Sequence, residues 1–357
     1  MKAQSIFQKP AQRLLQFGFV LALSFLSATM FAQDEPYYVK PLDGLSLKEA
    51  ELITSGGSLS VFGGGGEKAR LEVYVKGNNN KSLSKAEIEE RLKEKYELII
   101  EASADKVKAH AKQKSNWTDW KNSLNISFKL YVPSKINSKL KTSGGSITLK
   151  GLDGNQDFST SGGSLTVENV KGNIDGRTSG GSITVKGSEG TINLKTSGGS
   201  ITAENSKGEI DLATSGGSLK LNGLEGKIEA TTSGGSVSGN GISGELNTKT
   251  SGGSIKIAGL KGSVDAGTSG GSVSVDVDQL GSYVKLRTSA GNIDLNIPSG
   301  KGVDLDLSGM KVNVPQLNNF SGSATNTELK GSMNGGGIPI TARASSGKVN
   351  LNFGKVQ

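Results

Sequence analysis

The chain has 357 residues, with 41 Lys and Arg against 33 Asp and Glu, one histidine and no cysteine. A net charge of +8 over that length is mild and does not point to nucleic acid. Without cysteine there are no disulfides, no thiolate metal sites and no cysteine-linked lipid anchor, and a lone histidine cannot supply a usual metal set.

Residues 1–32 have the layout of a secretory signal: Lys2, Lys9 and Arg13 first, then the apolar run Leu14–Leu26, with cleavage expected after Ala32 or Ala28. A retained anchor is the rival reading, against which Gln16 and Ser24 interrupt the run. Removal leaves 38 basic residues against 33 acidic ones, a net of +5. No later stretch is long and apolar enough to span a bilayer. The expected location is the periplasm, the outer cell surface or the medium.

Residues 33–66 read as a leading coil. Leu45, Leu47, Leu52 and Ile53 run into Thr54–Ser58, the pentapeptide Thr-Ser-Gly-Gly-Ser, followed by Leu59, Val61 and the glycines 63–66. Residues 67–141 read as an inserted α+β cap. Leu71, Val73 and Val75 alternate as a strand, and Ser84-Lys-Ala-Glu87 is a capping-box pattern opening a helix to about Tyr96. Leu98–Ala102, Val107–Ala111 and Leu124–Val132 alternate as further strands.

The insertion also holds the candidate ligand-binding residues. Lys106, Lys108, His110, Lys112 and Lys114 lie on one face of a strand, suited to an acidic polysaccharide or phosphate group. The blander reading makes these lysines guards of an exposed strand edge. The same alternation points His110 to the wet face. Trp117 and Trp120 are the only tryptophans; they stack on sugar rings or pack a loop onto the body.

Residues 142–297 carry the pattern that organises the chain. Thr-Ser-Gly-Gly-Ser begins at Thr142 and returns unchanged every 18 residues to Thr268, with degraded echoes at Thr288 and Ala344. Fixed periods of this size mean a repeat architecture. In Thr178–Lys195, two short alternating runs, Ile183/Val185 and Ile192/Leu194, are separated by glycine corners. Each unit is therefore two strands and two turns. The expected fold is all-β: a β-solenoid, or flattened β-helix, of 18-residue two-strand coils, with the α+β insertion capping its N-terminal end. Small residues at Gly176, Ala203, Ala230 and Gly239 suggest a thin core. Lys150, Glu168, Lys186 and Glu204 alternate in sign on successive coils, where stacking makes them neighbours. The 20-residue step from Thr268 to Thr288 places an extra two residues near Asp276–Ser282. Residues 298–357 read as an irregular insertion and closing coils.

The Thr-Ser-Gly-Gly-Ser units from Thr142 to Ser272, the strand–helix–strand insertion ending Leu130-Tyr131-Val132-Pro133, and the ending Gly335–Ile340 to Ser345-Ser346-Gly347 resemble a bacterial "putative adhesin" family of unknown function. The resemblance covers most of the chain after residue 32. It implies a surface or periplasmic β-solenoid and carries no catalytic residues.

An exported, non-enzymatic module for adhesion or envelope scaffolding is the expected function, in contact with surface polysaccharide or another envelope component, with no cofactor and no metal. The alternative is a carboxylate-based polysaccharide hydrolase or lyase, with Asp276, Asp278, Asp304 and Asp306 as off-repeat candidates. The outward threonines Thr148, Thr166, Thr184 and Thr202 also suit an ice-binding face, although the file decays to Lys220 and Ser238.

Overall fold

The computed structural model describes residues 35–78, 81–114, 122–315 and 317–354. Pro36 onward forms one compact unit, built almost wholly of strands. Trp117 and Trp120 lie outside the described residues.

Each 18-residue unit gives one short strand and one long one, in two parallel stacks. Ile183–Lys186 pairs with Ile201–Glu204, and Glu189–Thr196 pairs with Lys207–Thr214, each residue opposite the one 18 positions on. Side chains of one file therefore sit directly above each other, as the period demands. The apolar members of each alternation, such as Ile183, Val185, Ile192 and Leu194, are buried between the stacks. Each contributes roughly 1.5–3 kcal/mol by leaving water. A third inward position sits in the turn between strands: Leu152, Val170, Ser188, Ser206, Leu224, Ile242 and Leu260. The two serines stay satisfied there. Ser206 Oγ, for example, accepts from Ser188 N and donates to the Glu204 carbonyl.

The pentapeptide has a contact for each letter. The threonine is buried, and its Oγ1 donates to the carbonyl of the second glycine one coil below, as in Thr196 to Gly181 at 2.8 Å. The same oxygen accepts from the second glycine of its own coil, Gly199 N at 3.3 Å. A Cβ on Gly199 would stand 2.1 Å from the Gly181 carbonyl oxygen, so only glycine permits this spacing. The final serine forms an outer ladder in which Ser218 N donates to Ser200 Oγ.

At two of the small core positions a neighbour fills the space. Gly176 lies opposite Phe158, whose ring fills the space its Cβ would need, and Leu194 closes in from the other side. Ile242 and Ile257 fill the corresponding gap at Gly239.

At the N-terminal end the strands are β1 (Tyr38–Pro41), β2 (Glu49–Ile53), β3 (Leu59–Gly63) and β4 (Arg70–Gly77), then helix α1 (Lys85–Lys95). After it come β5 (Tyr96–Ala102), β6 (Lys106–Gln113), β7 (Leu124–Val132), β8 (Asn137–Lys141) and β9 (Ile147–Lys150). Helix α1 has the full capping box, with Ser84 Oγ accepting from Glu87 N and Glu87 accepting from Ser84 N. Ile88 and Leu92 turn into the core.

The order of stacking departs from the order of the chain. β2 and β3 lie between β6 and β7 on one side and β8 and β9 on the other. The insertion thus supplies a coil below the leading one. It imitates the repeat without its sequence. Thr54 Oγ1 donates to the Ile126 carbonyl, and Ser58 N donates to Ser127 Oγ, in the places of glycine and serine. β4 and β5 then pair antiparallel on β7 and β6 and carry both stacks outward.

The C-terminal end repeats this device. Strands Ile338–Ala344 and Lys348–Gly354 insert between the coil ending at Pro298 and the later-stacked pair Val303–Ser308 and Lys311–Asn313. Glu328–Met333 and Phe320–Ala324 finish that stack antiparallel. Amide side chains pin the register: Asn350 donates to Asp294, and Asn313 donates to Asn350, both at 2.7 Å. The extra residues after Thr268 appear as register shifts against Ile257–Val264. In this region Ile255–Thr268 and Val273–Thr288 run unbroken round the corner and join the two stacks into one 29-stranded, open sheet.

Candidate functional site

The lysine strip occupies the outer face of β6, since Val107, Ala109 and Ala111 take the inner one. β6 is hydrogen-bonded on both sides, to β5 and β2, so its lysines do not guard an edge. They meet carboxylates from the neighbouring strands instead. Lys106 Nζ lies 3.4 Å from Glu49 and 3.5 Å from Glu51, and Lys108 Nζ lies 3.7 Å from Glu101. The hydrogen bond to Glu49 pushes the Lys106 ammonium pKa up. Lys112 is exposed and faces Glu97 in register. Lys114 Nζ donates to the Lys93 carbonyl at the end of α1.

His110 points outward but is half-buried rather than wet, with Nε2 3.1 Å from Glu51. Glu51 therefore bridges His110 and Lys106. Lysine, histidine and glutamate here form a charge lattice across three strands. The sequence shows the face each side chain takes, but Glu49 and Glu51 become partners only because the leading coil is wedged beside β6.

Beside this lattice, on the other stack, Phe62 and Tyr131 stack at 5.2 Å and Arg70 covers Tyr131 at 3.8 Å. Arg70 also holds Glu72 at 2.7 Å, and Glu72 accepts from Tyr74. Burial, then the bond to Glu72, pushes the Tyr74 hydroxyl pKa upward. Arg70 and Phe62 cover the two sides of Tyr131, so this row leaves no open aromatic platform.

Of the four candidate carboxylates outside the repeat, Asp304, Asp306 and Asp276 are each held by a neighbour, and Asp278 is exposed. Asp304 accepts from Ser332 Oγ at 2.6 Å and from Gly337 N at 3.0 Å, which holds its carboxyl below the usual range. Asp306 pairs with Arg343 at 2.7 Å, and Asp276 accepts from Asn296. Among the described residues no group of three His, Asp or Glu side chains is placed to hold a metal ion.

The outward files are in register, Thr148 beside Thr166, then Thr184 and Thr202. The corner carries a second alternating file that complements Lys150 to Glu204: Asp153, Lys171, Glu189, Lys207 and Glu225. Lys150 meets Glu168 at 2.8 Å, and Glu189 meets Lys171 and Lys207 at 3.7 and 3.2 Å. Part of the repeat's surface charge is thus spent on neighbours within the stack.

A family model described as Toastrack DUF4097 matches residues 66–352. No curated protein matches the chain. Two solved structures are similar over most of their length. A "putative cell adhesion protein" from Clostridium sporogenes is 14% identical, covering 89% of this chain and 98% of that one, with a TM-score of 0.19. A "putative lipid binding protein" from Parabacteroides distasonis is 13% identical, covering 89% and 97%, with a TM-score of 0.26.

Proposed function

The chain belongs to the Toastrack DUF4097 family, and from that premise we propose that it is a non-enzymatic structural and binding module of the cell envelope, exported by residues 1–32. The observation that carries this reading is the assignment of its polar chemistry. The threonine of every regular coil is bonded to the coil below, serines join most coils in an outer ladder, and part of the ionic files is paired along the stack. Of the candidates for a carboxylate-based hydrolase, Asp304 and Asp306 anchor the Gly337 turn and Arg343, and Asp276 accepts from Asn296. That support favours a stiff element displaying its outer faces over a catalyst.

Residues 33–66 and 67–141 act together as the foundation, residues 142–297 as the spacer, and 298–357 as the closure. The outer face around Lys106, Lys108 and Lys112 is the proposed contact for surface polysaccharide, with Trp117 and Trp120 as the proposed sugar-stacking residues.

The test is a panel of envelope polysaccharides, scored both for retention and for product release, with fractionation of cells expressing the full chain. Retention without turnover, weakened several-fold in Lys112→Gln or Trp117→Ala, and recovery from the envelope fraction are expected. Released product that is lost in Asp304→Asn would overturn the reading.

A further inference from the structure

In every regular coil the turn between the two strands contributes one buried side chain, the file from Leu152 to Leu260 that plugs the corner between the stacks. The turn after Ile297 breaks this rule. From Pro298 to Gly302 no residue is buried, until Val303 resumes the core. Where the plug would stand there is a cavity of about 410 Å³. Its floor is apolar: Ile297 and Met333 are buried there and Phe353 is half-buried. Its rim is polar and exposed, formed by Lys301, Asn318 and Asn334.

The rim is organised. Asn334 Nδ2 donates to the Lys301 carbonyl at 3.1 Å, tying the turn to the end of strand Glu328–Met333. The Lys301 ammonium makes no ion pair among the described residues. The nearest carboxylate in sequence, Asp304, is committed to Ser332 and Gly337. This contrasts with the regular corner, where Lys171 and Lys207 flank Glu189. An open pocket of this size, in which apolar side chains and a few polar groups converge, has the form of a small-molecule site.

We infer that this unplugged corner binds a small amphipathic anion, an apolar chain or ring bearing one carboxylate or phosphate, with the apolar part against Ile297, Met333 and Phe353 and the anionic group at Lys301. A space of this volume takes a ligand of about twenty non-hydrogen atoms or fewer, at roughly 20 Å³ each. The two ends of the molecule differ in this respect: α1 sets Ile88 and Leu92 into the core at the N-terminal end, whereas among the described residues no helix caps the C-terminal one.

The test uses the full chain without residues 1–32 and calorimetric titration with sodium octanoate, octyl glucoside and sodium acetate. Octanoate is expected to bind, octyl glucoside more weakly, and acetate not at all. Lys301→Gln should weaken octanoate at least fivefold and leave octyl glucoside unchanged. Ser299→Trp, which places a plug in the corner from a half-exposed position, should abolish both, with circular dichroism confirming an intact fold. Octanoate binding unaffected by either substitution, or absent at millimolar concentration, would overturn the inference.

Discussion

The regular coils and the two ends solve the same problem in opposite ways. Between Thr142 and Thr288 the chain stacks in the order it is written, and each coil is locked by its own pentapeptide. At the ends the last-stacked parallel coil is never the terminal one in sequence: β2 and β3 are wedged inside the N-terminal end, where β1 lies outermost as an antiparallel edge on β4, and the strands after Gly337 are wedged inside the other. An in-order stack would leave its terminal strands as exposed edges, open to fraying and to pairing with other chains. Interleaving puts the terminal coils between two neighbours and hands the edges to antiparallel strands. Regularity supplies rigidity along the stack, and irregular topology closes it.

The comparison breaks most severely where coils approach closest. Gly199→Ala drives a Cβ to 2.1 Å from a backbone oxygen in the middle of the stack, whereas at Gly198 the nearest atom is 3.6 Å away. The first should cost about 3 kcal/mol or more and the second less than about 1 kcal/mol, read as the shift in denaturation midpoint. Thr196→Val keeps the shape but orphans the Gly181 carbonyl and Gly199 N–H. A loss of about 1–3 kcal/mol is expected by the same measurement.

The closing coil offers the converse. Ala344 stands where the repeat has threonine, above a Gly291 carbonyl placed as Gly181 is below Thr196. Ala344→Thr should therefore restore the missing bond and stabilise by about 1 kcal/mol. Charge matters less. Lys150→Glu sets like charges against Glu168 on a half-exposed corner and should cost less than about 1 kcal/mol, shrinking further at high salt.

Asp304 gives the smallest effect, and its sign follows from its depressed pKa. Its contribution is present above the unfolded-state value of about 4 and is lost as pH falls through the lower folded value. Asp304→Asn should lower the melting temperature slightly at pH 7 and flatten its fall below about pH 4.

How much of this was legible follows from the same contrast. The repeat spells out its contacts because stacking places like positions together, and close packing at the second glycine admits only one residue type, so the glycine, threonine and apolar files can be read down the columns. The capping box at Ser84 and the alternation of β4 to β7 are equally local, and both appear where the pattern places them. Interleaving is not local. Ile126-Ser127 occupies the place of the second glycine and the final serine, and the isoleucine gives no sign of it, because only its backbone carbonyl and the one hydroxyl are used. For the same reason the lysines of β6 look like edge guards in sequence and turn out to face Glu49, Glu51 and Glu101 from adjacent strands. The empty corner at Lys301 was hidden too, since a missing plug leaves no motif. Phe158 beside Gly176 was readable in principle, as a large residue one period from a small one.

The central claim, that successive units lie directly atop each other, is tested most directly by electron–electron distance measurement. The chain has no cysteine, so spin labels can be placed at will. Labels at Thr148→Cys and Ser274→Cys lie on one outward file, seven strands apart. At about 4.8 Å per strand the account predicts one narrow distribution near 34 Å, shortening by about 4.8 Å each time the first label moves up one coil. A broad distribution, or one that fails to shorten in equal steps, would contradict it.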